Sequence, residues 1–471
     1  VTTQSIDGGV AVTVDARTYH TIDPSTGTLV RQYPKLLDAH AEDHLARAHK
    51  AFPGWRDTSV VERVRLFRRF ADLVDRDGDK LAYQITVEMG KALAQSVDEV
   101  ALVAHLFRYY ADNGEELLRD ETLDVPGLQQ TIIRREPVGV VLGIEPWNGP
   151  IFQAMRAAVP NLMLGNTVLV KPAEQCPGST LMLDDLFVEA GFPADVYQTV
   201  LVSVDHVSTY IADSRVRAVT FTGSDRAGAV IGAQAGAHVK PVVLELGGSD
   251  AFIVLDSADV PTAAAVASAC RIYMGGQACV SPKRIILTDK IADEFIAQFA
   301  SAFGSQTVGN PFDPATTIGP MASIAAADRV QAQLQDAIDK GATVVVPGGR
   351  MPGPGAYFRP AAIAGVTSEM RVATEEVFGP VALIYRVPDA DAAIEVANSS
   401  KYGLGGTVFG LDLEEAQHVA HRLDTGMVGI NGYVGAPVEI PFGGTKASGT
   451  GRELGRSGMD QFANIKTYGI G

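Results

Sequence analysis

Four short segments hold side chains that could carry chemistry. Cys279 closes Gly275-Gly276-Gln277-Ala278-Cys279. The two glycines let backbone approach a ligand closely and place an amide N–H near the sulfur. Such a thiol is either a nucleophile or a small buried hydrophobe, the usual fate of a free cysteine. A thiol with a pKa of ~8.5 is only a few per cent ionised at neutral pH. A nucleophilic role therefore demands a helix N-terminus, a cation or a base beside it. Cys176 and Cys270 lack the glycine setting and read as filler. Glu245 lies in Leu244-Glu245-Leu246-Gly247-Gly248. A carboxylate inside an apolar strand end is costly unless it is paired, exposed or functional. Apolar neighbours would raise its pKa and suit it to take a proton from water. Asn148 lies in Pro146-Trp147-Asn148-Gly149-Pro150, where its amide is either an oxyanion donor or a turn residue. Phe221-Thr222-Gly223-Ser224 ends an apolar run just before a helical pattern. Such a junction is either an ordinary N-cap or a cradle that offers free N–H groups to a phosphate. It is not G-x-G-x-x-G.

These residues need elements to position them. From residue 138 short apolar runs alternate with helical patterns. The runs are Val138–Ile144, Thr167–Val170, Val196–Leu201, Arg217–Phe221 and Val242–Leu246. The helical patterns fall near Phe152–Met163, Thr180–Glu189, Val207–Asp213 and Arg226–Ala235. That rhythm predicts a parallel sheet with crossover helices. A second series starts at Ala251–Leu255 and continues through helical Ala263–Met274 and strand-like Arg284–Thr288. The first third reads mainly as helix, with Ala41, Leu45, Ala48 and Phe52 at helical spacing. Ser59-Val60-Val61-Glu62 reads as a capping box, and Leu93, Val97, Val100 and Ala104 mark a further helix. Asp124-Val125-Pro126-Gly127 separates Glu121–Val125 from Gln130–Arg134 and predicts a hairpin. Phe462–Tyr468 would add an edge strand.

The length of 471 residues corresponds to about three domains at ~150 residues each. With 39 Lys and Arg against 55 Asp and Glu the net charge is −16. That field repels nucleic acid and anionic membrane, so neither is an expected partner. No run of ~20 apolar residues is present to span a bilayer. Val1–Thr18 has no charged start followed by an apolar stretch, so it does not read as a secretory leader. Three cysteines in so long a chain, with no zinc-type spacing, point to a reducing, cytoplasmic compartment and no metal.

Taken in order, seven segments resemble the aldehyde dehydrogenase superfamily. They are P-W-N at 146–148, V-K-P-A-E at 170–174, F-T-G-S at 221–224, L-E-L-G-G at 244–248 and G-Q-A-C at 276–279. E-E-V-F-G-P at 375–380 and P-F-G-G-x-K-x-S-G at 441–449 complete the set. The resemblance covers essentially the whole chain and is similar in detail to the bacterial succinate-semialdehyde branch. It implies an α/β fold with two parallel-sheet domains and a small β oligomerisation domain. The implied division is an NAD-binding domain at 1–118 and 136–246, a catalytic domain at 247–445, and an oligomerisation domain at 119–135 and 458–471. It implies a homodimer or homotetramer.

The same resemblance implies that Cys279 attacks an aldehyde to give a thiohemiacetal and then a thioester. Asn148 and the Cys279 N–H would form the oxyanion hole, and Glu245 would activate the hydrolytic water. Trp147, Lys171, Glu174, Gly223, Ser224, Glu376 and Phe378 would hold the dinucleotide. A carboxylate at Glu174 suits a free ribose 2′-hydroxyl and repels a 2′-phosphate, so NAD is expected over NADP. Arg156, eight residues after Asn148, matches an arginine that binds the far carboxylate of a semialdehyde. The position of a second such arginine holds Tyr273, with Arg271 nearby, and Gly149 replaces a common Phe. The expected activity is oxidation of a semialdehyde such as succinic semialdehyde. Its alternatives are a dehydrogenase for uncharged or aromatic aldehydes, and a non-catalytic binding protein on the same fold.

Overall fold

The computed structural model describes Thr2–Thr3, Thr13–Val14 and residues 17–471. Most of the Val1–Thr18 stretch lies outside the described residues. Two large sheets and one small one organise the rest. The first large sheet has six strands, in the order Gly449–Thr450, Val242–Glu245, Val216–Thr222, Val140–Ile144, Thr167–Lys171, Tyr197–Thr199. All neighbours are parallel except Gly449–Thr450, which runs antiparallel to the Glu245 strand. The central strands Val140–Ile144 and Thr167–Lys171 are buried along their length, as strands covered by helices on both faces must be. Their connection, the helix Pro150–Leu164, is buried at every residue. Pro150 opens it, where a missing N–H costs nothing, and Gly165 closes it in the left-handed region.

The second sheet has seven strands, centred on Arg284–Thr288 and Ala251–Val254. It also contains Ala361–Ala364, Val381–Val387, Gly405–Phe409 and Met427–Ile430, none of which the apolar runs had marked. The small sheet is antiparallel and joins Ala463–Ile470, Gln130–Pro137 and Glu121–Leu123. The expected hairpin and edge strand thus meet in one sheet. Gln130–Pro137 runs past the boundary expected at 135.

Helices pack on the first sheet much as their periodicity predicts. Ser59 caps Val60–Arg76 by accepting the Glu62 N–H at 3.2 Å. The reciprocal half of the capping box is absent, because the Glu62 carboxylate turns to Arg65 instead. The first third is not all helical. Thr18–Asp23 and Thr28–Pro34 form a hairpin around Pro24–Gly27.

Candidate active site

The carboxyl ends of the first sheet's strands face the loops of the second sheet, and the motifs meet there. Cys279 follows a helix, Val260–Ile272, and a tight turn. Met274, Gly275 and Gly276 in that turn all have positive φ, at 53°, 63° and 72°. Gly276 is irreplaceable on contact as well. A Cβ there would lie 2.5 Å from the Gly379 backbone, in the E-E-V-F-G-P segment. Arg271, wholly buried, pins the same turn. It donates to the carbonyls of Gly276, Val377 and Val381, and to the Ser281 hydroxyl at 2.7 Å. Arg271 is therefore a brace for the cysteine loop and offers nothing to a substrate.

The other motifs close on that loop. Gly248 N–H donates to Glu376 at 3.0 Å, and a Cβ on Gly247 would lie 2.5 Å from the same carboxylate. Lys283, buried completely, pairs with Glu376 at 3.2 Å and donates to the carbonyls of Ala278 and Cys279. The C-terminal segment P-F-G-G-x-K-x-S-G reaches the base. A Cβ on Gly443 would lie 2.5 Å from Glu245 Oε1, and Ser448 Oγ donates to Gly247 O at 2.7 Å. Glycine at these positions lets the four segments pack closely around two carboxylates, Glu376 and Glu245, and the cysteine loop.

A cavity of about 370 Å³ opens between these segments. Cys279, Glu245 and Asn148 all line it. So do Trp147, Gly223, Ser224, Glu376 and Phe378. Asn148 donates through Nδ2 to Gln277 O at 3.0 Å. A primary amide has two N–H donors, so one remains for an oxyanion. Burial pushes the Cys279 thiol up to about 11, against the pull of Arg156 and Lys283. The thiol therefore rests protonated and needs a base. Glu245 is 2% exposed, and neither of its oxygens has a hydrogen-bond partner. Burial, and then the Glu453 carboxylate, push it well above the usual carboxylate range, with Arg156 opposing. A carboxylate so raised is a stronger base toward water than a free one.

The same pocket fits a dinucleotide. Trp147 and Phe378 meet edge to face at 5.6 Å, forming an aromatic wall. Ser224 caps the helix Asp225–Ala237 by accepting the Ala227 N–H at 3.3 Å, and this helix start lies at the cavity, with Gly223, Ser224 and Asp225 in its lining. A Cβ on Gly223 would lie 2.5 Å from the Phe221 ring, so a larger residue there would displace that ring. Lys171 and Glu174 sit outside the cavity wall, at the end of the strand two places from Thr222. Burial lowers the Lys171 ammonium to about 8. Glu174 pairs with Lys35 at 2.9 Å, a partner the motif reading did not contain.

Arg156 requires a correction. It is 1% exposed and does not line the cavity. Its Nε pairs with Glu453, Nη2 donates to Thr222 Oγ1 at 3.2 Å, and the guanidinium lies 4.4 Å from the Phe442 ring centre. Glu453 is itself buried and accepts from Thr220 at 2.8 Å. Taking one partner from such a pair costs about 3–5 kcal/mol. The expected carboxylate receptor is instead the counter-ion of buried acids. Glu145, with no role assigned from sequence, belongs to that group. It follows Ile144, the register partner of Phe221, while the next residue, Thr222, pairs with Glu245, so the two acids flank the end of the Thr222 strand and the Thr222 hydroxyl is the hydrogen-bonding neighbour of Glu145. Among the described residues no cluster of His, Cys, Asp and Glu is arranged to hold a metal.

With this geometry in place, known proteins show what the chain is similar to. Residues 12–468 match the aldehyde dehydrogenase family. Over 450 residues the chain is 46% identical to an NADP(+) succinate-semialdehyde dehydrogenase of Deinococcus radiodurans, spanning 96% of this chain and 94% of that protein. It is 41% identical over 452 residues to one from Mycobacterium tuberculosis, spanning 96% and 99%. The crystal structure of succinic semialdehyde dehydrogenase from Streptococcus pyogenes in complex with NADP+ superposes with a TM-score of 0.93 at 40% identity, covering 96% of this chain and 99% of that one.

Proposed function

This chain belongs to the aldehyde dehydrogenase family, and on that premise we propose that it oxidises a semialdehyde such as succinic semialdehyde to the acid. The observation that carries the reading is the convergence of thiol, amide and unpartnered carboxylate on one cavity. A solvent water in the cavity takes the Cys279 proton, and the thiolate attacks the aldehyde carbon. The resulting oxyanion takes the free Asn148 N–H and the Cys279 backbone N–H. Glu376, Phe378, Trp147 and the Gly223–Ser224 turn would hold NAD or NADP, which would supply the hydride acceptor. Departure of hydride leaves a thioester on Cys279. Glu245 then takes a proton from water, the hydroxide oxygen attacks the thioester carbon, and the sulfur leaves as the acid is released.

The relatives named above support the semialdehyde, while the buried Arg156–Glu453 pair favours the second reading, an uncharged aldehyde. Initial rates with succinic semialdehyde and with butanal, of equal chain length, separate the two. The proposed function predicts a kcat/KM at least about tenfold higher for the semialdehyde, which is ~1.4 kcal/mol of differential binding. Equal rates, or a preference for butanal, would overturn the semialdehyde assignment.

For the cofactor we propose NAD over NADP. Glu174 would accept a ribose 2′-hydroxyl and repel a 2′-phosphate. Its pairing with Lys35 moderates that repulsion. Glu174→Ser should shift the NADP-to-NAD ratio of kcat/KM about tenfold or more toward NADP. An unchanged ratio would remove Glu174 from cofactor choice.

The three sheets support the division into NAD-binding (1–118, 136–246), catalytic (247–445) and oligomerisation (119–135, 458–471) domains. Ala463–Ile470 is an edge strand with Ile465 and Ile470 exposed, which supports a homodimer or homotetramer built on that edge. Among the described residues no helix is long and apolar enough to cross a membrane. The scarcity of thiols supports a cytoplasmic setting.

A further inference from the structure

Asn148 and Cys279 sit on separate loops, yet an oxyanion hole works only if their separation is held. One donor out of place by ~1 Å costs about a hundredfold in rate. The loops come from different domains of the chain, so something must tie them together. The helix Leu93–Leu117 touches both.

Its first two turns present Gln95 and Glu99 four residues apart, on one face. Gln95 Oε1 accepts the Met274 N–H at 3.2 Å, in the positive-φ turn that leads to Cys279. Glu99 Oε1 accepts the Ile151 and Phe152 N–H groups at 2.9 and 3.0 Å. These are the opening N–H groups of the helix that follows Asn148. The other Glu99 oxygen pairs with Lys91, whose Nζ lies 3.5 Å from the Asn148 carbonyl. Lys91 and Glu99 are both buried, at 2% and 4% exposure. The Asn148 side chain completes the link through its bond to Gln277 O in the cysteine loop.

We propose that Lys91, Glu99 and Gln95 are positioning residues that hold the Asn148 amide and the Cys279 loop at the separation an oxyanion hole needs. None of the three touches the cavity that holds the reacting groups. A buried ion pair is weak evidence for stability, since neutral residues of similar volume often serve as well. What this pair has, and an ordinary core pair lacks, is a contact with the carbonyl of the oxyanion donor and two bonds to the first N–H groups of the helix after it. The proposal rests on Asn148 being an oxyanion donor.

The test is a cycle between Lys91→Met/Glu99→Gln and Asn148→Ala. The paired substitution removes both buried charges and keeps an acceptor for the Ile151 and Phe152 N–H groups. It should lower kcat about 10- to 100-fold with KM for aldehyde little changed. The NADH burst and the steady-state rate should fall together, because both chemical stages pass through an oxyanion. In the Asn148→Ala background the same pair should cost nothing further. Unchanged kcat, or an equal loss in both backgrounds, would overturn the proposal. If Asn148→Ala alone leaves kcat intact, it is the reading of Asn148 that fails. Gln95→Ala covers the case in which the paired variant does not fold. It should lower kcat severalfold with an unchanged melting temperature, and a kcat equal to that of the parent would overturn the proposal.

Discussion

Replacing Cys279 by alanine should abolish aldehyde oxidation, by about 10⁴–10⁶-fold in kcat, as loss of a nucleophile does in other covalent enzymes. The dinucleotide should still bind. Trp147, Glu376, Phe378 and the Gly223–Ser224 turn are held by contacts that do not pass through the sulfur. The Cys279 loop should also keep its shape. Arg271 and Lys283 grip its backbone carbonyls, and those bonds survive the substitution. Equilibrium titration of intrinsic tryptophan fluorescence with NAD and NADP, beside an NADH assay at high protein concentration, checks both halves. Residual turnover within about tenfold of the parent would remove Cys279 as nucleophile.

The second large effect concerns the base. Glu245→Gln keeps the volume and removes the ionisable group. Loss of a general base costs about 10²–10⁴. The loss should fall on one stage alone. Hydride departure does not need Glu245, so a burst of NADH close to one per active site should precede a stalled steady state. The pH dependence follows from the direction of the shift. Burial raises the Glu245 pKa, and only the ionised form takes a proton from water. Parent turnover must therefore fall as pH drops through that raised value and climb on the alkaline side. The Cys279 thiol, pushed up to about 11, adds to the same slope. In Glu245→Gln the steady state should lose the Glu245 component of the profile. An unchanged steady-state rate would discount Glu245.

How much of this was legible in the sequence differs from part to part. The parallel sheet around residues 140–222 was legible because its strands are continuous apolar runs punctuated by helices. Strands such as Gly405–Phe409 and Met427–Ile430 were not. Glycines lower their β-propensity, and pairing with Ala251–Val254 and with each other fixes them as strands. The hairpin Thr18–Asp23 and Thr28–Pro34 is largely polar, and one of the two buried residues in its first strand, Thr21, is polar too, so no apolar alternation announced it. The turn residues Pro24-Ser25-Thr26-Gly27 were its signal.

In the site, local chemistry made Cys279, Glu245 and Asn148 candidates, each with an ordinary reading beside it; their roles came from the resemblance, and the structure brings the three to one cavity. Arg156 was misread. Its type and spacing were right for a carboxylate, but the carboxylate that occupies it is Glu453, from the far end of the chain. Lys283, Lys91 and Glu99 carried no local signal. A buried lysine and its acid look like surface charges until the fold brings them together. Glu453, inside Gly451-Arg452-Glu453, had the same disguise.

The central claim is that Cys279 carries the acyl group and Glu245 releases it. Intact-mass analysis of Glu245→Gln after mixing with succinic semialdehyde and NAD tests this most directly. Acid quench within the stalled phase should show the protein heavier by one succinyl group, with the adduct on the peptide that contains Cys279 and absent from Cys279→Ala. Release of about one NADH per active site with no mass gain, or an adduct on Cys176 or Cys270, would contradict it.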